Sequence, residues 1–352
     1  MRKPRRIVVA VIILAFILLL IIISEIVLRV KCTVCTWAEG NGLGYVSPYK
    51  VPPWATWYCL RRPNTTTKSE PVAFDFEITT NSMGIRDVDH PRAKSQNEIR
   101  IIGMGDSYTE GAGAEFEDSY LKVLERHLNE QAEGKRIRVI SGAVSGSDPC
   151  YSYMLLKDKL LPFDPDLVTL AINSSDIFDL VTRGGMERFQ ENGKVKFAKP
   201  PRREWLWARS HLFRLVMIGF FHYDISSFSP SERTAKWEEA VNTMSNAVKD
   251  FQKLSLIHGF KFLVILHPDF SEVKAGRYTF NVAKLKRTMD DFGIDYVDIL
   301  PSFMKAIESG QAAETLFWTN RDWHNNAAGY RLFAKALEGF LLESGLLALK
   351  ER

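Results

Sequence analysis

A serine, a histidine and an aspartate lie in two segments of the chain where they could act together. Ser107 follows the apolar residues 101–104 in the sequence Gly-Asp-Ser, and Asp322 and His324 precede a C-terminal segment with helical periodicity. A serine hydroxyl becomes a nucleophile near neutral pH when an imidazole takes its proton and a carboxylate orients that imidazole. The residue types therefore predict acyl transfer, with Ser107 as nucleophile, His324 as general base and then acid, and Asp322 as the orienting carboxylate.

The segments around these residues predict a parallel α/β sheet. Strands are expected near 100–105, 136–141, 167–173, 261–266 and 294–299. Helices are expected near 117–131, 149–161, 231–258, 279–291 and 326–343. Strands that alternate with helices favour a three-layer, doubly wound sheet, and ligands bind such sheets at the carboxyl ends of the strands. The predicted loops of Ser107 and His324 lie at that edge.

Two motifs carry a resemblance to a known family. Gly-Asp-Ser-Tyr-Thr-Glu-Gly occupies residues 105–111, and Asp-x-His-Asn-x-x-x-Gly-Tyr occupies residues 322–330. They resemble the SGNH, or GDSL, hydrolase superfamily in its membrane-anchored bacterial type, over residues 100–342. The resemblance implies a flavodoxin-like sheet and an ester hydrolase or O-acyltransferase, with an acylated, above all O-acetylated, envelope glycan as substrate. It also implies no metal and no organic cofactor.

The same resemblance implies an oxyanion hole. The backbone N–H groups of Ser107 and Gly146 would form part of it, and glycine suits a position where backbone approaches substrate closely. The family pattern Gly-x-Asn-Asp is altered here to Asn173-Ser174-Ser175-Asp176. Strict alignment places Ser175 at the asparagine position, whereas Asn173 falls on the glycine. Both are candidate third donors, and Asn173 is favoured because a carboxamide reaches farther than a hydroxyl.

Three further residues are candidates for substrate binding. Asp106 belongs to the Gly-Asp-Ser motif, Arg86 ends the motif Thr-Asn-Ser-Met-Gly-Ile-Arg at residues 80–86, and His267 follows the strand expected at 261–266. Arg86 would grip an anionic substrate or brace the domain. His267 would contact substrate or only shape the pocket.

The N-terminus predicts a membrane anchor. Arg2, Lys3, Arg5 and Arg6 precede an uncharged apolar run over residues 7–23, which residues 26–30 extend past Glu25. The basic flank should stay in the cytoplasm, so the rest of the chain would face the periplasm or the cell exterior from a single-pass inner-membrane anchor. A cleaved signal peptide is the alternative, but no small-x-small site follows the run.

The chain as a whole divides into three expected parts. Residues 1–30 are the leader and anchor, 31–98 an irregular, proline-rich stalk, and 99–345 the catalytic domain with an insertion at 184–231. The insertion combines an expected hairpin at 187–199 with an apolar, arginine-bearing segment at 202–223. It is the expected specificity element, and its apolar segment is interpreted as core, lid or a surface touching lipid headgroups.

Charge and cysteine content limit the partners. The four basic leader residues account for the whole net charge of +4, which leaves no basic domain for nucleic acid. Cys32, Cys35, Cys59 and Cys150 allow three disulfide pairings in an extracytoplasmic chain. The altered oxyanion block also permits a second interpretation, a degenerate SGNH-fold protein that binds glycan or assists envelope assembly, which the intact Ser-His-Asp set disfavours. The oligomeric state is left open.

Overall fold

The computed structural model describes residues 3–31, 61–68, 76–190, 195, 203, 206–207, 210–223, 228–319 and 323–347. The chain forms two compact units. One unit combines residues 1–47 with residues 197–236, and the other combines residues 48–196 with residues 237–352. The predicted insertion is therefore divided, since only its part from residue 197 onward belongs to the N-terminal unit.

The N-terminal unit contains a long apolar helix. Helix α1 (Lys3–Lys31) has a stretch over Ile7–Val30 with a mean hydropathy of 3.6, and none of that stretch is buried against protein. Twenty-four residues are long enough to cross the hydrocarbon layer of a bilayer. The same unit contains helix α6 (His211–Phe221).

The larger unit is built on a five-stranded parallel sheet, as the sequence predicts. Its strands are β3 (Glu98–Gly105), β4 (Arg136–Ala143), β5 (Leu167–Ile172), β6 (Lys261–Leu266) and β7 (Asp295–Asp298). Their spatial order is β4-β3-β5-β6-β7. The sheet therefore starts at β3, one strand in from its edge, and the chain then winds in both directions. The carboxyl ends of β3, β4 and β5 meet beside the point where the winding reverses.

Helices cover both faces of this sheet. They are α2 (Ser107–Glu110), α3 (Tyr120–Gln131), α4 (Pro149–Leu155), α5 (Ser175–Arg183), α7 (Pro230–His258), α8 (Phe270–Ala275), α9 (Val282–Asp291), α10 (Leu300–Glu308) and α11 (Ala327–Ser344). Successive strand residues point to opposite faces, so Leu263 and Ile265 join the core under α3, α10 and α11, whereas Val264 joins the core under α4, α7 and α9. The architecture is thus the predicted three-layer α/β fold.

Two local features differ from the sequence expectation. The helix expected over 149–161 is α-helical only to Leu155, and it continues as a π-helical turn at Leu156–Leu160 and a 3₁₀ turn at Leu161–Phe163. The segment expected to be irregular contains a two-stranded antiparallel sheet, β1 (Thr66–Lys68) and β2 (Glu77–Thr79). Strands of three residues are too short to show a periodic apolar pattern, which is why the sequence did not reveal them.

The expected hairpin and disulfides are only partly described. Phe189 pairs antiparallel with Val195, as expected for a hairpin over 187–199, while residues 191–194 lie outside the described part. Cys150 is fully buried and forms no disulfide among the described residues. Cys32, Cys35 and Cys59 lie outside the described residues.

Candidate active site

A sharp turn between β3 and α2 presents Ser107. Gly105 ends the strand with φ +154°, and a Cβ there would lie 2.2 Å from Thr109 Oγ1, so a larger residue would push the helix away from the strand. Asp106 caps α2, since its carboxylate accepts a hydrogen bond of 3.0 Å from the Tyr108 N–H. The turn leaves Ser107 half-buried at the carboxyl edge of the sheet.

The loop before α11 brings His324 to Ser107. Nε2 of His324 lies 2.7 Å from Oγ of Ser107, which is hydrogen-bonding distance for proton transfer from the hydroxyl. The loop is closed at its base, because Trp318 N–H donates to the His324 carbonyl at 2.8 Å and Trp323 N–H donates to the Trp318 carbonyl at 3.1 Å. Asp322 lies outside the described residues.

The ring of Tyr108 packs against both His324 and His267. The Tyr108 ring centroid lies 4.6 Å from that of His324 and 4.7 Å from that of His267. His267 is fully buried, stacks on Phe333 at 4.8 Å and contacts the Asn325 amide through Nε2 at 3.3 Å. Burial, with a smaller contribution from nearby His324, lowers the pKa of His267 to about 3. His267 is therefore a neutral packing group under the site.

Gly146 lies on the loop that follows β4. This loop is hydrogen-bonded to the turn that carries Ser107. Val144 N–H donates to the Gly105 carbonyl at 3.1 Å, and Ser147 Oγ donates to the same carbonyl at 2.9 Å. Gly146 has φ +70°, and a Cβ there would lie 3.2 Å from Nη2 of Arg183. The positive φ and the neighbouring guanidinium both favour glycine at this position.

Asn173 and Ser175, the two candidate third donors, both contact Asp106. Asn173 Nδ2 donates to Asp106 Oδ2 at 3.0 Å, and Ser175 Oγ lies 2.8 Å from the same oxygen and 2.7 Å from Asn173 Oδ1. Asn173 is 1% exposed and Ser175 is half-buried. The altered block thus places both residues at the Ser107 turn, where they share the Asp106 carboxylate.

Helix α5 adds two buried carboxyl groups next to this block. Asp176 accepts a hydrogen bond of 2.8 Å from the Asn173 N–H, and burial together with the nearby Asp106 charge raises the pKa of Asp176 well above its ordinary value. Burial also raises the pKa of Asp179 to about 7, although Arg183 pairs with it at 2.9 Å and opposes the shift. Asp176 and Asp179 together therefore carry less negative charge near neutral pH than two ordinary carboxyl groups would.

Arg86 supports the segment that follows α2. Its guanidinium is 1% exposed and donates to the backbone carbonyls of Glu110, Gly111 and Ala114 at 3.2, 2.8 and 2.9 Å. Arg61 pairs with the Glu110 carboxylate through two bonds of 3.0 Å. These contacts favour the bracing role for Arg86. Asp106 and His267 are likewise buried among protein groups rather than presented to solvent.

Two tryptophans at the site carried no signal in the sequence motif. Trp323 stands between Asp322 and His324, is 47% exposed, and stacks on Phe270 with ring centroids 4.7 Å apart. Trp318 is 41% exposed, and its indole N–H donates to the Gly113 carbonyl at 2.6 Å. A pocket of about 450 Å³ adjoins Trp318. The sequence places Trp323 beside the histidine, but only the fold shows that its ring remains open to solvent.

Several solved structures are similar to this chain. The acetyl xylan esterase AlAXEase has a TM-score of 0.43 and 15% identity, with 68% of this chain and 98% of that chain covered. The acetylxylan esterase Axe2 from Geobacillus stearothermophilus has a TM-score of 0.44 and 15% identity, with 72% and 97% covered. A two-domain esterase active on acetylated mannans has a TM-score of 0.44 and 14% identity, with 70% and 50% covered.

Comparison of this sequence with known proteins identifies its family. No curated protein matches the chain. The GDSL-like lipase/acylhydrolase family matches residues 104–332, which cover strands β4 to β7, the Ser107 turn and the His324 loop and make up more than half of the chain. This chain therefore belongs to the GDSL-like lipase/acylhydrolase family.

Proposed function

We propose that the protein is a serine esterase that removes acyl groups, chiefly O-acetyl groups, from an envelope glycan. The observation that carries this proposal is the 2.7 Å separation of His324 Nε2 and Ser107 Oγ at the carboxyl edge of the sheet. A hydroxyl in contact with an imidazole is the arrangement that nucleophilic acyl transfer requires. The family match over residues 104–332 supports the same chemistry.

The proposed reaction has two halves. Ser107 Oγ attacks the ester carbonyl while His324 takes the hydroxyl proton, and the proton then passes to the departing sugar oxygen, which leaves an acetyl-serine. In the second half, water attacks that ester and loses a proton to His324, which passes the proton to Ser107 Oγ as acetate departs. Asp322 is proposed to accept a hydrogen bond from His324 Nδ1. A sugar hydroxyl in place of water would make the same site an O-acyltransferase.

The developing oxyanion needs donors that are already in position. The N–H groups of Ser107 and Gly146 are proposed as two of them, since their loops are joined through the Gly105 carbonyl. The Asn173 carboxamide is proposed as the third, with Ser175 as the alternative. Arg86, Asp106 and His267 are proposed to position these loops rather than to bind substrate. Arg86 and Asp106 are hydrogen-bonded to protein groups, and His267 packs against Tyr108 and Phe333.

A glycan substrate is supported by the aromatic surface beside His324. One face of the Trp323 ring packs on Phe270, and nearly half of the residue is exposed to solvent. The C–H face of a sugar ring is apolar and flat enough to pack on such an indole, whereas its hydroxyls remain in water.

The test compares an O-acetylated polysaccharide with p-nitrophenyl acetate. Ser107→Ala should abolish acetate release from both, because the nucleophile is absent. Trp323→Ala should raise KM for the polysaccharide by up to about tenfold, since one stacking contact contributes roughly 0.5–1.5 kcal/mol, and should leave the small ester unaffected. A Ser107→Ala protein with full activity would refute the proposal. A folded wild-type protein that binds the polysaccharide without releasing acetate would favour the non-catalytic alternative.

We further propose that α1 anchors the protein in the inner membrane with the catalytic unit outside the cytoplasm. The length and hydropathy of Ile7–Val30 support a span, and the basic residues before it support a cytoplasmic N-terminus. Sodium carbonate should leave the chain in the membrane, and a reporter after Arg352 should be active only outside the cytoplasm. Release of the intact chain by carbonate would contradict the anchor, and a reporter active in the cytoplasm would contradict the orientation.

A further inference from the structure

Helix α6 has its polar and apolar residues arranged opposite to those of a water-facing helix. Its two basic residues, His211 and Arg214, are 1% and 0% exposed. Its most exposed large side chains are Leu215, Phe220 and Phe221, at 44%, 79% and 58%. Helices on the surface of soluble proteins bury such side chains and expose the charged ones. The exposed apolar face therefore needs an apolar partner.

The N-terminus of α6 is joined to helix α1 through Glu25. The Glu25 carboxylate accepts hydrogen bonds from Ser210 Oγ at 2.9 Å, from His211 N–H at 2.9 Å and from Leu212 N–H at 3.0 Å. The first N–H groups of a helix have no partner within that helix, and a negative charge is favourable there. Glu25 thus caps a helix that follows it by more than 180 residues.

These contacts also explain how a carboxylate is accommodated within an apolar span. Glu25 lies inside Ile7–Val30, where an ionised group is costly unless it has partners. The two α6 N–H groups, the Ser210 hydroxyl and Arg29, whose Nε lies 3.0 Å away, supply them. Because Glu25 is near the C-terminal end of the candidate span, α6 begins close to that end.

The first turn of α6 is held together by its own neighbours. Trp207 is fully buried and packs edge-on against Phe213, with ring centroids 6.3 Å apart. Arg214 Nη1 donates to the Trp207 carbonyl at 2.7 Å, which brings its charge inward. The polar groups are therefore gathered at the N-terminal end of α6, and the C-terminal end presents Phe220 and Phe221.

We propose that α6 is a second membrane contact of this protein, inserted into the outer leaflet beside α1, with Phe220 and Phe221 against lipid acyl chains. Its 11 residues extend about 16 Å, roughly half of the hydrocarbon thickness, so α6 is too short to cross the bilayer. Lipid is the occupant because Glu25 joins α6 directly to α1, whose apolar residues 7–24 are exposed. The inference rests on the proposed anchoring of α1.

Photocrosslinking in the full-length protein tests this placement. The chain is reconstituted in nanodiscs of phosphatidylethanolamine and phosphatidylglycerol, with Phe220→p-benzoylphenylalanine or, as a matched control, Phe292→p-benzoylphenylalanine. Phe292 is also exposed, at 52%, but belongs to the catalytic unit. Mass spectrometry should find a lipid adduct at Phe220 and none at Phe292. A crosslink from Phe220 to a second copy or to the catalytic unit in place of lipid would overturn the inference.

A second variant tests the cap. Glu25→Leu removes the acceptor for the α6 N-terminus while keeping α1 apolar, so most of the lipid adduct at Phe220 should be lost. Ser24→Leu, at the exposed neighbouring position, should keep it. An unchanged adduct in Glu25→Leu would contradict the role of the cap. Carbonate extraction separates the two proposals: release of the wild-type chain refutes the anchor, whereas a retained chain without a lipid adduct at Phe220 refutes only this inference.

Discussion

The number of hydrogens that each side chain can donate distinguishes Asn173 from Ser175 as candidates for the third oxyanion donor. The Asn173 carboxamide has two N–H hydrogens, and its bond to Asp106 uses one of them. The Ser175 hydroxyl has a single hydrogen, and both oxygens within its reach, on Asp106 and Asn173, are acceptors. Asn173 therefore retains a second N–H beside its bond to Asp106, which favours it over Ser175 as the proposed third donor.

Kinetics of two variants test this distinction. Asn173→Ala should lower kcat by roughly 10²–10³ with little change in KM, because the lost hydrogen bond is formed chiefly in the transition state. Ser175→Ala, the matched control in the same block, should lower kcat much less. Steady-state rates with p-nitrophenyl acetate give both values. A full-rate Asn173→Ala beside a slow Ser175→Ala would reverse the assignment.

His267 should make stability depend on pH. Its pKa is lowered from 6.5 to about 3 in the folded protein, so the folded state binds a proton less readily than the unfolded chain. The resulting stabilisation is complete above pH 6.5 and is lost as the pH falls toward 3, with a slope of about 1.4 kcal/mol per pH unit. His267→Phe, which suits the neighbouring Phe333 and Tyr108, should reduce this slope.

Guanidinium unfolding at a series of pH values between 3 and 7, in detergent, measures the effect. The absolute stability of His267→Phe should also fall, because the Asn325 amide loses an acceptor. His258→Phe at an exposed position is the control and should keep the wild-type slope. An unchanged slope in His267→Phe would show that His267 is not the buried neutral group described here.

At the scale of elements, Arg86 holds the segment after α2 in place through hydrogen bonds to its backbone carbonyls. Arg86→Met removes three hydrogen bonds to backbone carbonyls in a buried site, so it should reduce the free energy of unfolding by roughly 3 kcal/mol or more. KM for neutral and anionic esters should change equally. The exposed Arg287→Met is the control for charge removal. A stable Arg86→Met protein with a selective loss of affinity for anionic esters would restore the substrate-binding role.

Sequence predicted the elements well where their pattern is long. The strand expected at 261–266 is β6 itself, and the helix expected over 231–258 begins one residue earlier as α7. Helix α5 was missed because its first turn falls in the altered family block, and β1 and β2 are too short for a periodic signal. At the site, the Ser107–His324 pair was predictable from motifs, whereas the shared Asp106 contact and the open Trp323 ring depend on tertiary packing.

On the scale of the whole molecule, the chain combines a hydrolase fold with an apolar N-terminal helix. The five-stranded sheet brings together loops more than 200 residues apart in sequence, and that convergence creates the Ser107–His324 contact. The N-terminal unit joins α1 to α6 through a carboxylate cap. If both helices contact lipid as proposed, esterase chemistry takes place on a protein held at the membrane by two elements.

Covalent labelling of Ser107 tests the central claim most directly. A fluorophosphonate reacts with a serine whose hydroxyl is activated by a neighbouring base, because the attack on phosphorus needs the same proton removal as the attack on an ester. The wild-type protein should be labelled once, at Ser107, and His324→Ala should be labelled far more slowly. Peptide mapping that finds the label on another serine, or a folded wild-type protein that stays unlabelled, would contradict the assignment of Ser107 as an activated nucleophile.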